Sequence, residues 1–221
     1  MKSGAGDKTE RWRESYSRVR KDPFSDPQAT NRSRLELLDV CGLPRFSAVL
    51  DVGTGDGNLF RTLQGLGFTK LWALEYQFEL LSAHPQKGRV VVASATNIPY
   101  TTGSMEAVIV MDLLHHLARN QLPSCFGEIR RVLKPDGMLY VCEPANTLTR
   151  KALTLLLMTP LSNLTRFSRD KRAMVEQERD TLEAWLEGEK TVCTQFERHG
   201  FRLEFFRRCW LHHYGRFRAI R

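Results

Sequence analysis

Five short stretches of the chain, "SAVLDV" (47–52), "KLWALE" (70–75), "RVVVA" (89–93), "AVIVM" (107–111) and "MLYVC" (138–142), are continuously apolar and rich in β-branched residues. A strand with one wet face alternates apolar and polar positions, so unbroken runs predict strands buried on both faces, as in a parallel sheet. Between them, 57–65, 77–83 and 122–133 have helical spacing. In the last of these Phe126, Ile129, Val132 and Leu133 share one face before "KPDG" supplies turn residues. Strand and helix in alternation predict an α/β fold with a doubly wound sheet of five parallel strands. Helices are also predicted within 10–39, where Trp12, Tyr16 and Val19 keep helical spacing, and over 175–198.

Composition changes this picture little. The chain has 221 residues, 42% hydrophobic and 26% charged, which suits an ordinary globular protein of one large domain or two small ones. The opening residues alternate charges without an apolar core, so no export signal is read there and a cytoplasmic location is expected. The longest apolar run, "ALTLLLMTPL" (152–161), is about half of the roughly 20 residues that cross a bilayer, and Pro160 interrupts it. Five cysteines are scattered without a C-x-x-C pair, which argues against zinc and against a disulfide framework.

Charge changes it more. The formal net charge of +8 sits in the flanks: residues 1–45 carry 10 Lys/Arg against 7 Asp/Glu, 46–144 carry 8 against 9, and 145–221 carry 15 against 9. A neutral middle with basic ends suits a core whose appended segments meet an anionic substrate, a membrane surface or nucleic acid; ordinary solvated charge explains the imbalance equally well.

The candidate chemistry begins at "LDVGTGDGNLF" (50–60), between the first strand and its helix. A glycine turn there lets backbone N–H groups approach a ligand closely. A dinucleotide fingerprint reads G-x-G-x-x-G, whereas Gly53, Gly55 and Gly57 give G-x-G-x-G with Asn58 in the third glycine's place, which disfavours NAD. Asp51 would repel a pyrophosphate but suits a ligand with an ammonium group. Glu75 ends the second strand, where its carboxylate can accept hydrogen bonds from both hydroxyls of a ribose. An adenosine with an ammonium group describes S-adenosylmethionine.

On these residues the chain resembles the class I S-adenosylmethionine-dependent methyltransferases over about residues 46–144. Asp51, Gly53, Gly55 and Gly57 match the family's first motif and Glu75 its ribose-binding acid. "ASATNIPY" (93–100), "SMEAVIVMDLLHHL" (104–117) and "EIRRVLKPDGMLYVCEP" (128–144) are similar to later segments of the small-molecule branch that includes quinone methyltransferases. The resemblance implies a Rossmann-like, mainly parallel seven-stranded sheet with helices on both faces. "FRLEFFRR" (201–208) and "WLHHYGRF" (210–217) would form its closing hairpin, the final strand antiparallel. It further implies a domain over 46–221 with a basic and apolar insertion at about 146–172, and an N-terminal lid over 1–45.

The cofactor set implied is Asp51, Gly53, Thr54, Gly55, Gly57, Glu75, Tyr76, Ser94, Ala95 and Asp112, with Tyr76 packing on adenine or ribose. Ser94 departs from the pattern, because the family usually places an acid on the adenine amino group. In-line displacement at the methyl carbon needs alignment of two reactants and exclusion of water, and no metal is expected. A base is useful where the acceptor must lose a proton, and His115 or His116 could serve, although "LHHL" reads somewhat better as a packing or capping segment. The acceptor expected is a small molecule such as a lipid, quinone or anionic glycan precursor, and peripheral membrane contact fits the insertion. RNA or protein methylation, and a silent cofactor-binding protein, are the alternatives. RNA is disfavoured by the absence of aromatics interleaved in a basic stripe.

Overall fold

The computed structural model describes residues 26–220. Trp12, Tyr16 and Val19, with the first half of the expected lid, lie outside them. Helix α1 (Pro27–Leu37) starts where Asp26 Oδ1 accepts the backbone N–H of Gln28 at 2.9 Å and of Ala29 at 3.1 Å, with proline in the first turn. There follow β1 (Val49–Val52), α2 (Asn58–Gly65), β2 (Leu71–Glu75), β3 (Val90–Val92), β4 (Met105–Met111), α3 (Leu122–Val132) and β5 (Leu133–Pro144). The chain then forms α4 (Leu148–Leu157), α5 (Arg166–Arg198), β6 (Phe201–Arg208) and β7 (His212–Ala219).

One seven-stranded sheet has the order β3-β2-β1-β4-β5-β7-β6. The first five are mutually parallel, and β7 runs antiparallel to both β5 and β6. The unbroken apolar runs follow from burial on two sides. Leu50 and Val52, Val108 and Val110, and Leu139 and Val141 face Phe126, Ile129, Trp185 and Phe196 of α3 and α5. Val49, Ala107, Ile109, Tyr140 and Cys142 face Leu35, Phe60 and Leu63 of α1 and α2. The order reverses between β1 and β4, so the crevice at their carboxyl ends is the natural ligand position.

Several expectations need correction. The stretch 89–93 holds a three-residue strand with Val91 and Val92 exposed, because among the described residues the sheet ends there. Residues 77–83 make a 3-10 turn (Phe78–Ala83) in place of a full helix. The helix ends at Val132, just before "KPDG" as expected, but these residues are a bulge inside the next strand rather than a separate turn. The pairing of β5 with β4 jumps from Leu133 to Met138, looping these four residues out inside the strand, with Asp136 at φ 63°. The last helix starts at Arg166 because the Thr165 side chain accepts the Ser168 N–H at 3.0 Å, a cap unnoticed in the sequence.

Candidate active site

At the carboxyl end of β1 the backbone N–H groups of Gly53 and Thr54 both donate to the Leu74 carbonyl, at 2.9 and 3.1 Å, folding the turn against β2. Gly53 has φ 77° and Gly57 φ 79°, the left-handed region that L side chains avoid. Space forbids a side chain as well. A Cβ on Gly57 would lie 2.5 Å from His84 Cδ2 and 2.6 Å from Pro85 Cδ, and one on Gly53 would lie 2.9 Å from Leu113 Cδ1. Gly57→Ala should therefore cost about 2 to 4 kcal/mol of stability, from backbone strain plus overpacking. Urea unfolding at an unchanged m-value would measure it, and a loss below about 1 kcal/mol would refute the strain argument.

Asp51 is buried in β1, and Glu75 is buried at the end of β2. Glu75 Oε2 accepts the Gly55 N–H at 2.8 Å and Oε1 the Gln77 N–H at 2.9 Å. The carboxylate thus stands against the glycine turn with further lone pairs on both oxygens. Tyr76 beside it is exposed. Ser94 and Ala95 follow β3, and the Ser94 hydroxyl accepts the Thr96 N–H at 3.2 Å while Ala95 is buried. His84 was not singled out by sequence reasoning. It is buried against the turn, with Nε2 3.4 Å from Thr54 Oγ1, its ring edge-on to Phe60 and Nδ1 accepting the Gln86 N–H at 3.2 Å. Burial first, and then the Arg61 charge, lowers its pKa, so the neutral ring donates from Nε2.

At the carboxyl end of β4, Asp112 takes a positive φ of 53°, which aspartate tolerates better than most side chains. It faces a cluster drawn from distant elements. Arg34 Nη1 of α1 donates to Asp112 Oδ2 at 2.7 Å, and His212 Nε2 of β7 lies 3.3 Å from Asp112 Oδ1. Burial would raise the Asp112 carboxyl, but the Arg34 charge and the His212 hydrogen bond outweigh it and hold it well below the ordinary 3.8. A depressed carboxyl contributes stability that is full above the unfolded-state value and is lost as pH falls through the folded one. Asp112→Asn should therefore destabilise at pH 7, and its difference from the parent should shrink steadily below about pH 4. Denaturant titrations at both ends of that range test this, and a pH-independent difference would contradict it.

The two candidate histidines have different surroundings. His115 is buried, and its Nδ1 lies 2.8 Å from Glu143 Oε2 at the end of β5. Glu143 is fully buried; its Oε1 accepts the N–H groups of Leu113 and Leu114 at 2.8 and 2.7 Å, and Oε2 accepts that of His115 at 3.4 Å. One carboxylate therefore holds the whole turn after β4. Burial would lower the His115 pKa, but the bond to Glu143 outweighs it and raises it. His116 is exposed, with its ring 4.1 Å from that of His115 at a 37° tilt. Partial desolvation by its surroundings, then the neighbouring His115, lowers its pKa, so it is a proton acceptor at neutral pH. His115, His116 and Glu178 of α5 each bring one ligand atom within 4.8 Å of the others. A cleft of about 350 Å³ lies beyond them, lined by Leu117, Arg119, Leu122, Asp180 and Trp185. It does not include the glycine turn or Glu75.

Residues 50–141 match the family model described as a methyltransferase domain. That stretch, less than half of the chain, is similar to a methyltransferase domain. Curated relatives of the domain include a tRNA (carboxymethyluridine(34)-5-O)-methyltransferase of Arabidopsis thaliana, 32% identical over 101 residues, and squalene methyltransferase 2 of Botryococcus braunii, 32% identical over 107. The matches cover 45% and 44% of this chain but only 24% and 28% of those proteins, so the chain spans about a quarter of their length. Among solved structures, a protein of Pyrococcus horikoshii superposes with a TM-score of 0.67 at 18% identity, over 92% of this chain and 98% of that one. A SAM-dependent methyltransferase of Aquifex aeolicus gives 0.62 at 17% over the same shares. At such identities these two establish the fold of the chain and nothing of its activity.

The sheet places Asp51, the glycine turn, Glu75, Asp112 and His115 at the carboxyl ends of the neighbouring parallel strands β1, β2 and β4. Arg34, His84 and Glu143 join them without having been foreseen. An acid closing an apolar strand run, as in "YVCEP", was the available signal for Glu143; Arg34 and His84 had none.

Proposed function

We propose that this protein transfers the methyl group of S-adenosylmethionine to a small, hydrophobic, lipid-like acceptor. The observation that carries the acceptor class is α4, which follows β5 at the crevice end of the sheet and leaves Leu148, Leu153, Leu155 and Leu156 exposed. The squalene and sterol methyltransferases among the domain's relatives support the same class. Asp51, Gly53, Thr54, Gly55 and Gly57 would hold the amino-acid portion of the cofactor and Glu75 its ribose, while Tyr76, Ser94 and Ala95 would flank the adenine. Asp112 would act near the cofactor's amino-acid end by fixing Arg34 and with it α1, the described part of the lid. The cofactor supplies an electrophilic methyl group; as the acceptor's lone pair forms its bond to carbon, the carbon–sulfur bond breaks and S-adenosylhomocysteine leaves. Where the acceptor is a hydroxyl, His116 would take its proton, with His115 held by Glu143 as a positioning residue.

Titration calorimetry with S-adenosylmethionine, S-adenosylhomocysteine and NAD tests the cofactor assignment, which predicts heat from the two sulfur compounds alone. Methyl-labelled cofactor offered with sterols, quinols and bulk tRNA tests the acceptor. The relative acting on tRNA makes RNA the second reading. Label in the tRNA alone would replace the lipid acceptor with it, and His116→Ala with unchanged kcat would remove that residue from the chemistry.

A further inference from the structure

The surface formed by α4, the turn behind it and the tip of the β6–β7 hairpin has no explanation in cofactor binding. Leu148 is 83% exposed, Leu155 70%, Leu164 78% and Trp210 81%. Such side chains scattered singly are normal, but Leu148 and Leu155 share one face of α4, and the Trp210 backbone is bound at the start of that helix. The Thr147 and Thr149 hydroxyls both donate to the Trp210 carbonyl, and the Arg150 guanidinium donates to the Leu211 carbonyl, so the start of α4 is fastened to the hairpin tip. Along the helix Leu148, Ala152, Leu155 and Leu156 recur at the spacing of one face, and that face is exposed. No residue of α4 is fully buried.

The charge in the two stretches that form this face is of one sign. From Pro144 to Arg169 there is no Asp or Glu, while Arg150, Lys151, Arg166 and Arg169 fall in that stretch; after Glu204 there is none either, and Arg207 and Arg208 immediately precede the hairpin tip. Lys151, Arg169, Arg207 and Arg208 are exposed. An apolar helix face whose own segment and neighbouring hairpin tip carry cations and no acid, with an exposed tryptophan at its start, has the chemistry of a segment that lies in the headgroup region of a bilayer, although the long helix packed beside it brings the exposed acids Glu176 and Asp180. No described helix is long and apolar enough to cross one.

We infer that α4 and the Trp210 hairpin tip dock this protein on an anionic membrane surface, leucines and tryptophan entering the interface and the cations meeting lipid phosphates. Since α4 begins just after β5, docking would bring the crevice end of the sheet to the lipid. Docking shares with the functional reading above only the apolar character of α4. Because it is measured without turnover, a protein that docks yet methylates no lipid, or the reverse, separates the two.

The test is flotation of the full chain with vesicles of phosphatidylcholine alone and with about one third phosphatidylglycerol, together with the tryptophan emission spectrum. Binding to the anionic vesicles with a blue shift is expected, weakening as salt rises. Leu155→Ser with Leu156→Ser should weaken it about tenfold, and Lys151→Glu should weaken it severalfold. Trp210→Phe should abolish the blue shift while the protein still floats. These positions are exposed, so each variant should keep the parent's thermal midpoint. Failure to float with anionic vesicles would overturn the inference, as would binding indifferent to these substitutions. A dimer that dissociates in the double leucine variant, without vesicle binding, would assign the face to a second copy and overturn it too. Retention by bulk RNA in place of vesicles would do the same.

Discussion

Replacing Glu143 with alanine should cost about 3 to 5 kcal/mol of stability, the range expected when one partner of a buried charged network is removed. The side chain is fully buried and receives the backbone N–H groups of Leu113, Leu114 and His115 together with His115 Nδ1. Alanine would leave these donors facing a cavity, and each unmet buried donor costs about 1 to 3 kcal/mol before the turn relaxes. Relaxation would displace Leu113, which packs over Gly53, and so would disturb the glycine turn as well. Glu143→Gln, which keeps one acceptor oxygen but turns an NH₂ toward N–H groups, should fall between the parent and Glu143→Ala. Urea denaturation of the three proteins measures this order. A Glu143→Ala protein within about 1 kcal/mol of the parent would show that the carboxylate does not organise the turn.

Glu75→Ala should lower the affinity for S-adenosylhomocysteine on the order of a hundredfold, since two charge-assisted hydrogen bonds of about 1.5 to 3 kcal/mol each are at stake. The geometry adds a control. Both carboxylate oxygens already accept backbone N–H groups, from Gly55 and Gln77, so part of the effect must come from a loosened turn. Glu75→Gln retains an acceptor but no charge and should lose less. Calorimetry read beside the thermal midpoint separates the two contributions: a turn defect lowers both, whereas loss of ribose contacts lowers affinity alone. An affinity loss below about threefold would sink the assignment.

The sheet was legible because burial on both faces writes an unbroken apolar run for each central strand, as in "AVIVM". The glycine turn was legible because its backbone demands glycine. What the sequence concealed depends on where the sheet ends and on partners far along the chain. Val90–Val92 reads like an interior strand, and only its place at the edge leaves it half wet. Asp112 could be placed by its position after a strand, but its partners could not, since Arg34 and His212 come from opposite ends of the described chain. For "LHHL" the packing and catalytic readings had no local feature to divide them. Glu143, far along the chain, turns His115 inward, while His116 stays exposed.

The antiparallel strand β7 has a consequence for how the molecule is made. It pairs with β5 along nearly its full length, from Pro144 opposite His212 to Met138 opposite Arg218, yet α4, α5 and β6 intervene. Until β7 arrives, one side of β5 presents a row of unsatisfied backbone groups flanked by Leu139, Val141 and Cys142, the kind of template on which foreign strands add. Loop closure over such a separation is slow. Yield on refolding should therefore depend on protein concentration more steeply than the size of the fold alone would suggest, with β5 as the seam at which misassembly begins.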